Sequence, residues 1–467
     1  MVLSRIWSAF IIIAIVVASI KYLFVPGYHD IYNDMVVGKG GDTIAITQKP
    51  MAEMTAEAKQ ALLGTGHYEN NHIGYKADLG QQHVEVYRVQ ATDGVIGTSE
   101  TAVKICLGLI GIMTLFMGFM GIAEKAGGIN LLSRMIQPFF SKLFPEVPKN
   151  HPSFGHMMLN FSANLLGLDN AATPFGLKAM ESLQTLNPST ERASNAQIMF
   201  LALHASGLTL IPVSIIAIRA SMGAENPTDV FLPCLIATFA ATMAAMIIVS
   251  LKQKINLFQP VVLAYVGGIS AIIAALVVFL VRLSQEELAS FSKVLSNGII
   301  LLIFFAIVLG GIYKKINVFD AFIEGAKEGF WTCVKIIPYL VGMLIAISLL
   351  RTSGVFEVII DGMKWLAAYA GADTRFVDGL PTALIKPLSG SGARGMMVDT
   401  MTTFGPDSFA SRLAGVLQGS SDTTFYVIAV YYGAVSIKNT RYTVGAMLLA
   451  DLVGIITAIG LAYLFFG

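Results

Sequence analysis

"NLLGLDNAATPFG", residues 164–176, decides how this chain is read. Apolar runs flank it: "LIGIMTLFMGFMGIA" lies upstream and "IMFLALHASGLTLIPVSIIAI" downstream. Yet these thirteen residues hold Asn164, Asp169, Asn170, Thr173, Pro174 and two glycines. A plain membrane-crossing helix does not carry such a segment. Backbone that leaves the helix at membrane depth is tolerated only where protein buries it or a water-filled cavity meets it.

The composition places the segment in a membrane. Of 467 residues, 55% are hydrophobic and only 13% charged, with a mean hydropathy of +0.68. Soluble domains carry about 25% charged residues. A span needs roughly 20 apolar residues, and about nine candidates appear, at 6–24, 101–122, 197–219, 229–250, 260–282, 294–314, 332–350, 415–436 and 443–466. The chain is therefore an all-α polytopic membrane protein. Its net charge of +1 gives no nucleic-acid footprint. Cys106, Cys234 and Cys333 lie in or beside apolar runs and read as small buried hydrophobes. The basic start and apolar run of "MVLSRIWSAFIIIAIVVASIKYLF", 1–24, read as an uncleaved anchor helix.

Residues 25–100 form the one long polar region, a small extracytoplasmic domain. "GDTIAIT" and "HVEVYRV" read as short strands and "MAEMTAEAKQALLG" as a helix. Lys and Arg cluster after the second, fourth and sixth spans and between the last two. The positive-inside rule then places the N-terminus in the cytoplasm, and residues 25–100 and the C-terminus outside.

That path exposes a repeat. Residues 101–254 hold a span, the amphipathic "INLLSRMIQPFFSKLF", the broken stretch 155–185 and two spans. Residues 255–331 link the halves through a membrane hairpin and an interfacial segment. Residues 332–467 repeat the first order with "SGVFEVIIDGMKWLAAYA" and the broken "GLPTALIKPLSGSGARGMMVDTM", 379–401, in opposite orientation. "LHASGLTLIPV" aligns without gaps on "LQGSSDTTFYV": His204 falls on Gln418, Ser206 on Ser420 and Thr209 on Thr423, all 214 apart (418−204, 420−206, 423−209).

Paired broken hydrophobic segments at matching places point to a transporter site. Each broken stretch reads as a re-entrant hairpin. Asn164, Asp169, Asn170 and Thr173 line one tip, and Ser389, Ser391 and Arg394 the other. His204, Thr209, Gln418, Ser420, Asp422, Thr423 and Thr424 supply polar groups from the spans that follow. The Arg394 fork suits a carboxylate or phosphate. Lys386 reads either as snorkelling to the interface or as an anion contact. Asp422 and His204 are candidates for carrying a coupling ion, Na⁺ or H⁺. There is no P-loop, no HExxH, no His/Cys metal cluster and no nucleophile–base constellation, so neither an enzyme nor a cofactor is expected.

Two long stretches carry a resemblance. "LNFSANLLGLDNAATPFGLKAMESLQTLNP", from 159, resembles spore maturation protein A. The stretch from "IKPLSGSGARGMMVDTM" at 385 through "LLADLVGI" resembles spore maturation protein B. The chain is similar to a fusion of the two over about residues 100–467. Both carry a nucleoside-recognition or gate domain, shared distantly with concentrative nucleoside transporters and ferrous-iron transport proteins. The resemblance implies an inverted repeat of gate-domain halves, each with a re-entrant hairpin, in a bacterial cytoplasmic membrane. It also implies a homo-oligomer, trimer or dimer. It does not carry the solute over. The nucleoside carriers have a Gly-Gln-Thr-Glu pattern in the first hairpin, where "GLDNAATP" has no Glu.

The expected function is alternating-access transport of a small polar, anionic or nucleoside-like solute. The alternative is a non-transporting membrane scaffold or sensor that works through 25–100. Deleting residues 30–95 separates the two. A transporter keeps most of its uptake, whereas a partner-docking protein loses its phenotype.

Overall fold

The computed structural model describes residues 2–51, 59, 62, 67–70, 73–77, 83–148, 150–166 and 169–467. Among these, seven helices are long and apolar enough to cross a membrane. They are α1 (Val2–Phe24), α3 (Val95–Lys125), α9 (Phe231–Gln253), α10 (Pro260–Leu280), α11 (Gln285–Tyr313), α12 (Val318–Thr352) and α18 (Thr443–Phe466). The chain is an all-α polytopic membrane protein with one small β-insert.

The other two expected spans are not continuous helices. The first, 197–219, divides into α7 (Asn195–Ser206) and α8 (Val213–Ser221). Gly207 ends α7 in the left-handed region at φ 37°, and Pro212 precedes α8. Glycine tolerates that conformation, and proline supplies no N–H to continue a helix. The second, 415–436, divides into α16 (Phe409–Gly419) and α17 (Thr424–Ala434). Here "SSD", 420–422, interrupts. Asp422 Oδ1 accepts the Thr423 N–H at 2.6 Å, a local bond that competes with the helical ladder.

The halves share one order of elements. In the first, α3 turns at Gly127 (φ 80°) into the amphipathic α4 (Gly128–Leu143). A helical hairpin follows, α5 (Pro152–Leu165) and α6 (Asp169–Gln184), then the broken α7–α8 and the long α9. In the second, α12 turns at Gly354 (φ 76°) into the amphipathic α13 (Val355–Tyr369). A 3₁₀ turn, Arg375–Gly379, leads into the short α14 (Leu380–Ile385) and α15 (Gly390–Phe404). The broken α16–α17 and the long α18 complete it.

Among the described residues between α1 and α3 are a short helix α2 (Ile31–Val36) and four strands, β1 (Gly38–Pro50), β2 (His67–Asn70), β3 (Ile73–Ala77) and β4 (His83–Asp93). They form an antiparallel sheet in the order β1-β4-β3-β2. "GDTIAIT" lies in β1 and "HVEVYRV" in β4, paired side by side. The helix expected over 51–64 falls mainly outside the described residues.

The two halves meet most closely where α3 crosses α12. Gly329 lies against the Met113 carbonyl, Gly325 against that of Met117, and Gly121 against Ala321 and Gly325. The numbering falls on one helix as it rises on the other, so the pair runs antiparallel. A Cβ on Gly121 would stand 2.8 Å from the Ala321 carbonyl oxygen, and one on Gly329 2.6 Å from that of Met113. Backbone oxygen does not yield as a side chain does. Close backbone approach through small residues is how membrane helices gain packing without a hydrophobic driving force. Gly325→Ala is expected to cost about 1–3 kcal/mol, the range for overpacking, read as a lower melting temperature of the purified protein. Gly267→Ala on α10, with open space around it, serves as the neutral control.

Candidate functional site

A cavity of about 580 Å³ lies where the broken elements of both halves converge. The first hairpin brings Asn164 from the end of α5 and Thr173 from α6. The second brings Lys386, Gly390 and Arg394. The end of α7 and the break after it contribute His204 and Thr209, and the end of α16 and the break after it contribute Gln418, Asp422 and Thr423.

Backbone hydrogen bonds hold these pieces in place. At the first break, Leu210 N–H donates to Leu165 O at the first hairpin tip (2.9 Å). At the second, Phe425 N–H donates to Pro387 O at the second tip (2.9 Å). The two bonds are counterparts: each broken helix is tied to the hairpin of its own half. A third bond crosses the halves, from Asp422 N–H to Ala205 O at 2.6 Å.

His204 sits at the centre, buried at the end of α7. Its Nδ1 lies 2.8 Å from the Asn164 amide and 3.0 Å from Asn160 Oδ1. Asn160 and Asn164 are four residues apart on α5, so one helix face presents both amides. On the other side, His204 Nε2 lies 3.9 Å from Asp422 Oδ2. The His204 ring is 4.8 Å from that of Tyr431, which also lines the cavity.

The second hairpin carries the positive charge. Lys386 is buried, and its ammonium donates to the Gln418 carbonyl at 2.6 Å, occupying an acceptor freed where α16 ends. Arg394 stands in the second turn of α15, whose N-terminus opens onto the cavity at Gly390. That helix end adds partial positive charge. Among the described lining residues there are two full cations, Lys386 and Arg394, and one carboxylate, Asp422. With His204 neutral the lining carries 2 − 1 = +1.

Of the residues expected from sequence, Asn164, Thr173, His204, Thr209, Arg394, Gln418, Asp422 and Thr423 line this cavity. Others stand beside it with different tasks. Ser389 is the N-cap of α15, accepting the Gly392 N–H at 2.9 Å, and Ser391 lies 3.3 Å from the Ser389 hydroxyl. The Ser420 hydroxyl donates to Leu417 O at 2.9 Å. The Thr424 hydroxyl donates to Asp451 at 2.6 Å, facing away from the cavity. Asp169 and Asn170 open α6, and their side chains lie outside the described ones. Sequence reading missed Asn160, Tyr431 and Asp451. For Asn160 the usable signal was its spacing of four from Asn164.

An ion pair fixes the second hairpin to the frame. Arg351, near the end of α12, meets Asp399 on α15 through two nitrogens, Nε at 3.0 Å and Nη2 at 2.5 Å. Both side chains are mostly buried. Breaking a buried pair leaves a charge uncompensated, at about 3–5 kcal/mol. Asp399→Ala is therefore expected near the lower end, about 3 kcal/mol, because Glu357 stays within 3.7 Å of Arg351. Thermal unfolding in detergent measures it.

Comparison with known proteins gives a family match and two relatives. The Gate family model, described as nucleoside recognition, matches residues 106–222 and 333–438, one segment in each half. The chain is 46% identical over 173 residues to spore maturation protein B of Bacillus subtilis (strain 168), covering 37% of this chain and 96% of that protein. It is 42% identical over 156 residues to spore maturation protein A of the same organism, covering 33% of this chain and 80% of that protein. No solved structure matches.

Proposed function

This chain belongs to the spore maturation protein A and B family of Gate-domain membrane proteins, and on that premise we propose that it is a secondary transporter. It moves a small polar solute, anionic or nucleoside-like, by alternating access. The observation that carries this reading is the convergence of two hairpin tips and two helix breaks, one of each per half, on a single positively lined cavity.

The halves are read as an inverted repeat. The shared order of elements, the antiparallel α3–α12 contact and the matched tip-to-break hydrogen bonds support this. In such a fold the solute site lies near the membrane midplane, between the repeats, and half-helix ends aim partial charges at the ligand. The hairpins are then re-entrant. The N-terminus faces the cytoplasm, and the β-insert and C-terminus face outward, as the Lys and Arg distribution suggests.

The residues take distinct parts. Arg394 and the α15 N-terminus bind an anionic group. Asn164, Thr173 and Gln418 orient the polar body. Asp422, joined by its N–H to Ala205 across the halves, registers the movement of one half against the other. Asp422→Asn and Arg394→Ala are each expected to abolish uptake while the protein still inserts and keeps its melting temperature. Wild-type rates in both variants would defeat the assignment. The solute class is found by a melting-temperature screen of purified protein against nucleosides, nucleobases, dicarboxylates and amino acids, since a ligand that binds the folded state stabilises it by mass action.

A further inference from the structure

The groups that line the cavity leave one buried acid without a task. Asp451 lies in the middle of α18, within "AMLLADLVGII", and is 5% exposed. Its contacts are hydroxyls: Thr424 Oγ1 donates to Oδ2 at 2.6 Å, and Ser421 faces the same carboxyl group. The charges that act on it are Lys386 after α14 and Asp422 in the break. The other charged or titratable groups on the helices packed against α18 are His204 on α7, Cys234 and Lys252 on α9, Glu286, Glu287, Lys293 and Tyr313 on α11, Arg412 on α16, and Tyr426, Tyr431 and Tyr432 on α17.

An ionised carboxylate inside a membrane span whose direct partners are hydroxyls is costly, and such groups mark ion pathways by default. As a carboxylic acid the same group is neutral and hydrogen-bonds to its neighbours. The fold gives it no packing excuse. The offset that aligns the halves places Ala237 of α9 at the matching position (451−214), and Ala237 is fully buried. One half therefore fills this place with a methyl group, and the other with an acid.

We propose that Asp451 is a proton-binding site that couples solute movement to the proton gradient. The coupling rests on the transport function proposed above; the proton site does not. A carboxylate accepts from both hydroxyls. A carboxylic acid keeps acceptor lone pairs and gains one O–H to donate, so protonation adds a donor at this site that Thr424 or Ser421 can accept by turning its own hydroxyl. Thr424 is the first residue of α17, and Thr423 and Asp422 just before it line the cavity. Proton and solute therefore act on consecutive residues of one helix break. The proton comes from water on one side, forms the O–H bond on Asp451, and returns to water on the other. A metal cation fits less well, because Thr424 sits directly on the carboxylate and Asp451 is not among the residues lining the cavity.

The test is infrared difference spectroscopy of the full chain in liposomes, titrated with pH in H₂O and D₂O. The expected result is a carboxylic-acid carbonyl band that grows as pH falls and shifts in D₂O. It should vanish in Asp451→Asn, which keeps an oxygen for Thr424 to bond, and persist in Asp422→Asn. Asp451→Glu, which restores the acid, should displace the band rather than remove it. A band that survives Asp451→Asn overturns the proposal. So does a band suppressed at constant pH when sodium replaces choline, since a metal cation would then hold the site. In a second arm, proteoliposomes with an imposed pH gradient are given uridine or succinate. Wild type should accumulate a probe and Asp451→Asn only equilibrate it, and equal accumulation by both overturns the coupling. If wild type moves neither probe, the result counts against the transport function for those solutes, and the infrared band still decides the proton site.

Discussion

A backbone N–H that loses its helical partner inside a membrane has to find another in the protein, because the lipid offers none. In this chain the freed N–H groups of Leu210 and Phe425 find theirs at Leu165 and Pro387, the hairpin tips of their own halves. The arrangement of the site follows from that pair of bonds. A helix can break at Gly207 or at Ser420 because a hairpin stands beside it, and the hairpin can stop short because the break receives its carbonyl. Where tips and breaks of two halves are brought together, the side chains on them face a common space.

The outer ends of the broken elements are joined crosswise. Arg219, fully buried at the end of α8, donates to Pro406 O (2.6 Å) and to Asp407 (3.1 Å) in the loop before α16, and Arg412 joins it through Asp229 at 2.7 Å. In the other sense, the loop after α17 donates from Lys438 and Asn439 to Glu191 O in the loop before α7, and Arg441 reaches Asn195 at 2.9 Å. Each half thus holds the loop that leads into the other's broken helix. Asp229 at 3.0 Å and Asp407 at 3.1 Å both stand against Arg219 and offset its desolvation.

Much of this was legible because glycine, proline and short polar residues interrupt apolar runs for few reasons. The two hairpin tips were read as breaks, and the structure breaks there, whereas Gly207, Pro212 and the 420–422 run fell inside stretches read as continuous spans, 197–219 and 415–436. The hydroxyls were harder. Ser389, Ser420 and Thr424 share composition with true cavity residues, but Ser389 and Ser420 bond to nearby backbone, and Thr424 turns toward α18. Short polar side chains near helix ends serve backbone as readily as ligands, and only the direction of the side chain distinguishes the two. Asp451 was passed over inside a strongly apolar run, although an acid at that depth is itself the signal. The Arg219–Asp407 contact, spanning 188 residues, had no local trace at all.

The α3–α12 crossing has a mechanical consequence. Side chains that interdigitate can change rotamer and slide past one another, but here Gly121, Gly325 and Gly329 bring main chain onto main chain. Such a seam has no soft layer in which to shear. The two longest helices therefore behave as a single strut shared by both halves. Any movement of one half against the other is then taken up away from this seam, at the hairpins and broken helices.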